Sequence, residues 1–391
     1  MFQKILKSKN VASIWILTVI VTIMIFPINA GKIVYSYAPM SIGPKWENNE
    51  INDLTILLNS SLYYKIRMTL RRAIGFWNSF SIVNFVPTWQ NVKIRTATGF
   101  SQCGAVTIVY VANGYIVGAQ IKYGSYYCSP NFNWWIAVSS HELGHTLGLG
   151  HNKGAPSIMG DGYNYYGIVS PMYDDIIALW MLYGRGSVDQ PSMLGHRGSY
   201  SVEDGGPTEL GSYPYTLKIS PGSNNYVFYG YTKDLYGRYG YILSGYVSPK
   251  TVYRGAIGIW TSSDATSLTN RAAIVEFSGS GNDYYIALTY TSSSSGQTPR
   301  KIATYQSDDP LREGGFFVML IFYLDEYYWT RVLVVVYRGT EIEAYVPASN
   351  APKLYHCILN QHGTRYIGFA VWTDNSNNPS SQYLFGPIWA G

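Results

Sequence analysis

The chain has 391 residues, room for two domains at roughly 100–200 residues each, and its net charge of +5 is spread along it without a basic stripe. That distribution excludes nucleic acid as a partner. Charged residues make up only 13% of the chain, against about 25% in ordinary globular proteins, while tyrosine alone numbers 37. Surface polarity therefore rests on neutral groups whose state does not change from acid to mild alkali.

The chain opens with Lys4, Lys7 and Lys9 ahead of an apolar run from Val11 to Phe26, then Pro27 and the small residue Ala30. This is the pattern of an export signal, residues 1–30, cleaved after Ala30 or retained as a membrane anchor. In either case the rest is expected outside, secreted or at the cell surface, with membrane contact through this segment alone. Leu62, Ile66, Leu70, Ile74 and Trp77 then recur as one face of a helix over Leu62 to Phe80, with Arg71 and Arg72 off that stripe on an exposed face. Short alternating runs at Val92 to Arg95, Ala105 to Val111 and Ile116 to Ile121 predict strands, the last two joined by an Asn113-Gly114 hairpin turn. Of three cysteines, Cys103 and Cys128 bracket this β region and are the better disulfide pair for an oxidising exterior; the alternative is three small buried hydrophobes.

A second helix is predicted from near Asn133, carrying Trp135, Val138, His141, Glu142 and His145 before Gly148 ends it. His141 and His145, at i and i+4, lie one turn apart on one face, so both imidazoles can reach one ion. The Glu142 carboxylate, rotated about 100° from its neighbour, can stand beside the metal and accept a proton from water. Gly148 can take positive φ and turn the chain back so that His151 becomes a third ligand. Three imidazoles and an open fourth position make a catalytic Zn2+ site, one ion per chain. A third helix spans Asp174 to Tyr183. Residues 185–214 are rich in Gly, Ser and Pro and are expected to be a linker, and 215–391 is almost wholly strand-like, with runs such as Phe316 to Leu324 and Val332 to Tyr337.

The eleven-residue stretch HELGHTLGLGH, with His141, Glu142, His145, Gly148 and His151, resembles the extended zinc motif of the metzincins, and Met159 in Ser157-Ile158-Met159 resembles their Met-turn. The interval to Met159 and the run DDIIALWMLYG are most similar to matrixins, and the similarity covers about residues 50–184. Asn152 after the third histidine departs from the best-known branches, and no PRCGVPD-like cysteine switch precedes the domain. The resemblance implies an α+β catalytic domain over 31–184, with a mixed sheet, an active-site helix and a C-terminal helix. It implies Met159 as a support beneath the metal and residues 160–173 as the substrate pocket, with Tyr163, Tyr165 and Tyr166 as candidates to line it. A strand bordering the cleft would pair with extended substrate, and Ile116 to Ile121 is the expected one. The C-terminal half loosely resembles concanavalin A-like jelly rolls, which implies an all-β sandwich and a polysaccharide ligand.

The expected protein is thus an exported zinc endopeptidase acting on peptides or proteins, with Glu142 as general base and a sandwich for surface or carbohydrate binding. The alternative is an inactive adhesion protein using the same domain as a scaffold. The composition change at 184–214 predicts separate cores, so that residues 32–197 would fold alone.

Overall fold

The computed structural model describes residues 43–129, 131–152, 156–160, 167–184, 191–204, 215–220, 225–251, 254–265, 270–280, 283–293, 296–306, 316–339, 341–355, 357–373 and 381–389. The segment 1–30 and Tyr163, Tyr165 and Tyr166 lie outside them. Among the described residues no helix is long and apolar enough to cross a bilayer.

The N-terminal half is α+β. Its elements are β1 (Leu54–Leu57), α1 (Tyr64–Trp77), β2 (Phe85–Pro87), β3 (Ile94–Thr98), β4 (Ala105–Ala112), β5 (Tyr115–Tyr123), α2 (Phe132–Thr146) and α3 (Tyr173–Tyr183). The strands form one mixed sheet in the order β2-β1-β3-β5-β4. All pairs are parallel except β4 with β5, whose hairpin turns at Asn113 (φ 54°) and Gly114 (φ 82°), the left-handed pair that a tight two-residue connection requires. Because β5 is paired on both sides, it cannot be the strand that borders a cleft with a free edge, and the expectation placed on Ile116 to Ile121 is corrected. Of the two outer strands of this sheet among the described residues, β2 and β4, it is β4 that lies against α2.

Among the described residues the C-terminal half forms two seven-stranded sheets. One runs β17 (Glu341–Val346), β16 (Thr330–Arg338), β15 (Phe316–Leu324), β10 (Gly240–Thr251), β19 (Ser381–Trp389), β8 (Tyr215–Ile219), β7 (Tyr200–Asp204). The other runs β14 (Gly296–Gln306), β13 (Asp283–Ser293), β12 (Arg271–Ser280), β11 (Arg254–Trp260), β18 (Thr364–Trp372), β9 (Tyr226–Asp234), β6 (Ser192–Arg197). Leu243, Val318 and Val334 of the first share a core with Ile257, Val275 and Phe369 of the second. Since β6 and β7 fall within 185–214, that stretch is strand over these residues rather than linker.

Every residue of β15 is buried, and the reason lies in the period of a strand. Phe316, Val318, Leu320 and Phe322 point into the core between the two sheets. Phe317, Met319, Ile321 and Tyr323 point the other way, into the same core as Ile66, Leu70 and Trp77 of α1 and Trp135 of α2. Leu333, Val335 and Tyr337 of β16 do the same. The outer face of the first sheet is therefore a wall of the N-terminal core, and residues 35–391 form one compact unit.

The α1 stripe is buried as its spacing predicts, but the opposite face is not exposed at position 72. Arg72 is 0% exposed, the guanidinium donating from Nε to Leu324 O (2.7 Å), from Nη2 to Asp325 O (3.0 Å) and from Nη1 to Met68 O (2.7 Å). Phe132, Tyr239 and Tyr328 place their rings around it. Burial pushes its pKa down to about 10, which leaves it charged at neutral pH. Helix and strand touch backbone to backbone where a Cβ at Gly75 would collide with the Gly240 carbonyl, and Ile242 N donates to Ser79 Oγ (2.9 Å). Arg71 is exposed.

Candidate metal centre

Helix α2 starts where the Asn131 side chain accepts from Trp134 N (3.1 Å) and ends at a glycine-permitted turn. Gly148 has φ +87°, its N–H donates to His145 O (3.0 Å), and Leu149 N donates to Gly144 O (3.2 Å). The reversal is braced from outside the motif: Gly43 N donates to Gly148 O (2.8 Å), and the buried Trp46 donates Nε1 to Thr146 O (2.7 Å).

This turn brings the three histidines together. One potential ligand atom from each of His141, His145 and His151 lies within 4.8 Å of the others. His141 is buried, His145 half-buried and His151 exposed, so the cluster opens to solvent on one side. His141 Nδ1 lies 2.7 Å from Ile158 O and His145 Nδ1 lies 2.8 Å from Leu149 O. Carbonyls only accept, so both Nδ1 atoms carry the proton and donate, and both Nε2 atoms keep lone pairs. Those two Nε2 atoms stand 3.0 Å apart. Facing lone pairs repel, whereas a shared cation satisfies both. Burial and the neighbouring imidazoles push the His141 pKa down to about 3, and burial lowers that of His145, so both are held in the neutral form a metal binds. The donor set fits zinc.

Glu142 is 2% exposed, and Thr107 Oγ1 of β4 lies 2.6 Å from its Oε2 and 3.0 Å from its backbone O. The single hydroxyl proton goes to the nearer, charged acceptor. Met159 is fully buried with its sulfur against α2, where a Cβ at Gly144 would collide with it. Asn152 N donates to Met159 O (2.7 Å), closing the loop between the third histidine and this turn.

Two contributors escape the motif. Thr107 has no sequence signal, being one polar residue in an alternating strand. Asp175 is buried in the first turn of α3 and accepts from Ser157 Oγ (2.5 Å), Ile158 N (2.9 Å), Met159 N (3.3 Å) and Met172 N (2.7 Å). It caps its own helix and fixes the peptide whose carbonyl holds His141. Burial raises its pKa to about 6 against the pull of those four donors. An acidic pair, Asp174-Asp175, opening an otherwise apolar helix was the available signal. Cys103 and Cys128 form a disulfide between the approach to β4 and the turn before α2.

A helix presenting two histidines and a glutamate, a glycine turn to a third histidine and a methionine turn packed beneath them resemble the zinc site of the metzincins. More narrowly, residues 119–184 match the matrixin family model, and this stretch of the chain is matrixin-like. The chain is 27% identical over 211 residues to karilysin of Tannerella forsythia, a match covering 47% of this chain and 44% of karilysin, so it spans less than half of that relative's length. Among solved structures, a protein of unknown function from Shewanella oneidensis MR-1 superposes with TM-score 0.31 at 13% identity, covering 51% of this chain and 80% of that one. An alginate lyase of Pseudomonas aeruginosa does so with TM-score 0.31 at 10% identity, covering 46% and 82%. At that level of superposition neither bears on the fold or ligand of this chain.

Proposed function

We propose that the chain is an exported zinc-dependent endopeptidase. The observation that carries this reading is the pair of Nε2 lone pairs, fixed by their Nδ1 bonds to converge on one point, with the Glu142 carboxylate near enough to act electrostatically on His145. Bound zinc supplies a Lewis acid for the scissile carbonyl and lowers the pKa of water. Glu142, held by Thr107, takes the proton of the attacking water and returns it to the leaving amide nitrogen. The outer edge of β4, with Ile108, Tyr110 and Val111 exposed, aligns an extended substrate by main-chain hydrogen bonds. Export is supported by the basic and apolar opening of the chain and by the Cys103–Cys128 disulfide. The two-sheet region, read as a jelly-roll-like sandwich, would dock the enzyme on a surface or carbohydrate, in keeping with its exposed Tyr345 and Tyr355.

The test is incubation of the purified protein with a peptide library, with and without a chelator. The expected result is cleavage that the chelator abolishes and added zinc restores. Cleavage indifferent to the chelator, or none with zinc bound, would overturn the reading.

A further inference from the structure

A cavity lies at the opposite end of the N-terminal sheet from the β4 edge, where β1, β2 and α1 meet the turn before β10 and the turn between β15 and β16. It measures about 470 Å³, within the range of roughly 300–1,000 Å³ usual for small-ligand sites. Its wall carries Tyr64, Arg67, Arg71, Trp89, Tyr239 and Tyr328. The N-terminal and C-terminal halves both contribute, and the Tyr64 and Tyr328 hydroxyls close the wall between them with a hydrogen bond of 2.8 Å.

The charge in this cavity is of one sign. Arg67 and Arg71, at i and i+4 on α1, both line it, and among the described residues neither meets a carboxylate. Arg67 Nε is buried without a hydrogen-bond partner. The two acids of the adjoining turn are already engaged, Asp325 with Arg331 (2.8 Å) and Glu326 with Lys65 (2.9 Å). The guanidinium groups sit instead against rings, Arg67 5.9 Å from the Tyr64 centroid and Arg71 5.3 Å from that of Tyr239. Two donor forks of this kind match planar carboxylates.

The ring faces complete the specification. Trp89 is 81% exposed and Tyr64 59%, far more than rings kept for packing would be. Flat exposed rings beside cationic forks suit a ligand with apolar faces and acidic edges. An extended peptide is a poorer match, because the only strand edge here is β2, which is three residues long and ends at Pro87, without an N–H to offer. We infer that this junction cavity binds an acidic saccharide, its uronate carboxylates on Arg67 and Arg71 and its sugar faces on Trp89 and Tyr64. The site is separate from the metal centre, and the inference does not depend on peptidase activity.

Calorimetric titration of the full chain tests it, with trigalacturonate as probe and maltotriose and hexaglutamate as controls. Trigalacturonate should bind, and neither control should. Arg71→Gln and Trp89→Ala should each weaken binding by at least about tenfold, since both side chains are exposed and their loss leaves the fold intact. Unchanged thermal unfolding of both variants confirms that the loss is local. Equal affinity for maltotriose, binding of hexaglutamate in place of the saccharide, no binding of trigalacturonate, or full binding by both variants would each overturn the inference.

Discussion

The turn that gathers the three histidines and the wall behind it are built on opposite principles. The turn is local: spacing within His141 to His151 decides which side chains meet, and one positive φ at Gly148 completes it. The wall is remote: β15 and β16 come from far along the chain to cover the second face of α1, through alternate residues of strands whose other faces serve a different core. Local spacing specifies chemistry, while enclosure depends on which surface arrives from elsewhere. A protein built this way loses its site when either part fails, but in different ways.

The sharpest break is to remove the wall. A chain ending at Arg197 keeps every motif residue yet uncovers the face of α1 that carries Arg72, Gly75 and Ser79, and the ring of Tyr173 that meets Phe317 and Tyr337. We expect it to remain unfolded by circular dichroism and to bind no stoichiometric zinc, and a folded, zinc-loaded fragment would restore the case for two independent cores. A subtler break is Arg72→Met, which removes the three charge-assisted bonds to the carbonyls of Met68, Leu324 and Asp325. It should cost about 3–5 kcal/mol in chemical denaturation. Its neighbour provides the control, since Arg71→Met on the exposed side should stay within about 0.5 kcal/mol.

Asp175 belongs to the turn's support, and its effect depends on pH. Its pKa is about 6 in the fold and 3.8 ordinarily, so the native state holds the proton more tightly. Its contribution is greatest below about pH 4, falls as pH rises through 6 and is flat above, a loss of roughly 3 kcal/mol. Denaturation of wild type and Asp175→Asn at pH 4.5 and 7.5 should show that slope in the first only. The smallest effect is expected at the contact between β4 and the helix. Thr107→Val removes the donor that steadies Glu142 and should lower kcat about tenfold with KM unchanged, and Thr107→Ser should recover it. A rise in KM alone would place Thr107 in substrate binding instead.

What the sequence disclosed follows the same division. The meeting of His141, His145 and His151 and the helix ending at Gly148 were legible because their relations span a few turns of chain. The periodic face of α1 was legible for the same reason. The fate of Arg72 was not, because an arginine off the apolar stripe reads as solvent-facing until a carbonyl edge from β15 is placed over it. The unbroken apolar run Phe316 to Leu324 held the clue, since a strand with two apolar faces needs two partners. The strand at Ser192–Arg197 was hidden by its Gly and Ser content, which marks linkers and exposed strands alike. Choosing β5 over β4 as the cleft strand failed because sheet order is not written in local pattern.

If Glu142 acts as a base beside a zinc ion held by three histidines, Glu142→Gln compared with wild type should separate metal binding from turnover. Both proteins, purified without chelator, should contain about one zinc per chain, while peptide turnover by the variant should fall by about 10²–10⁴. Equal turnover by the two proteins, or wild type that neither holds nor regains zinc, would contradict the account.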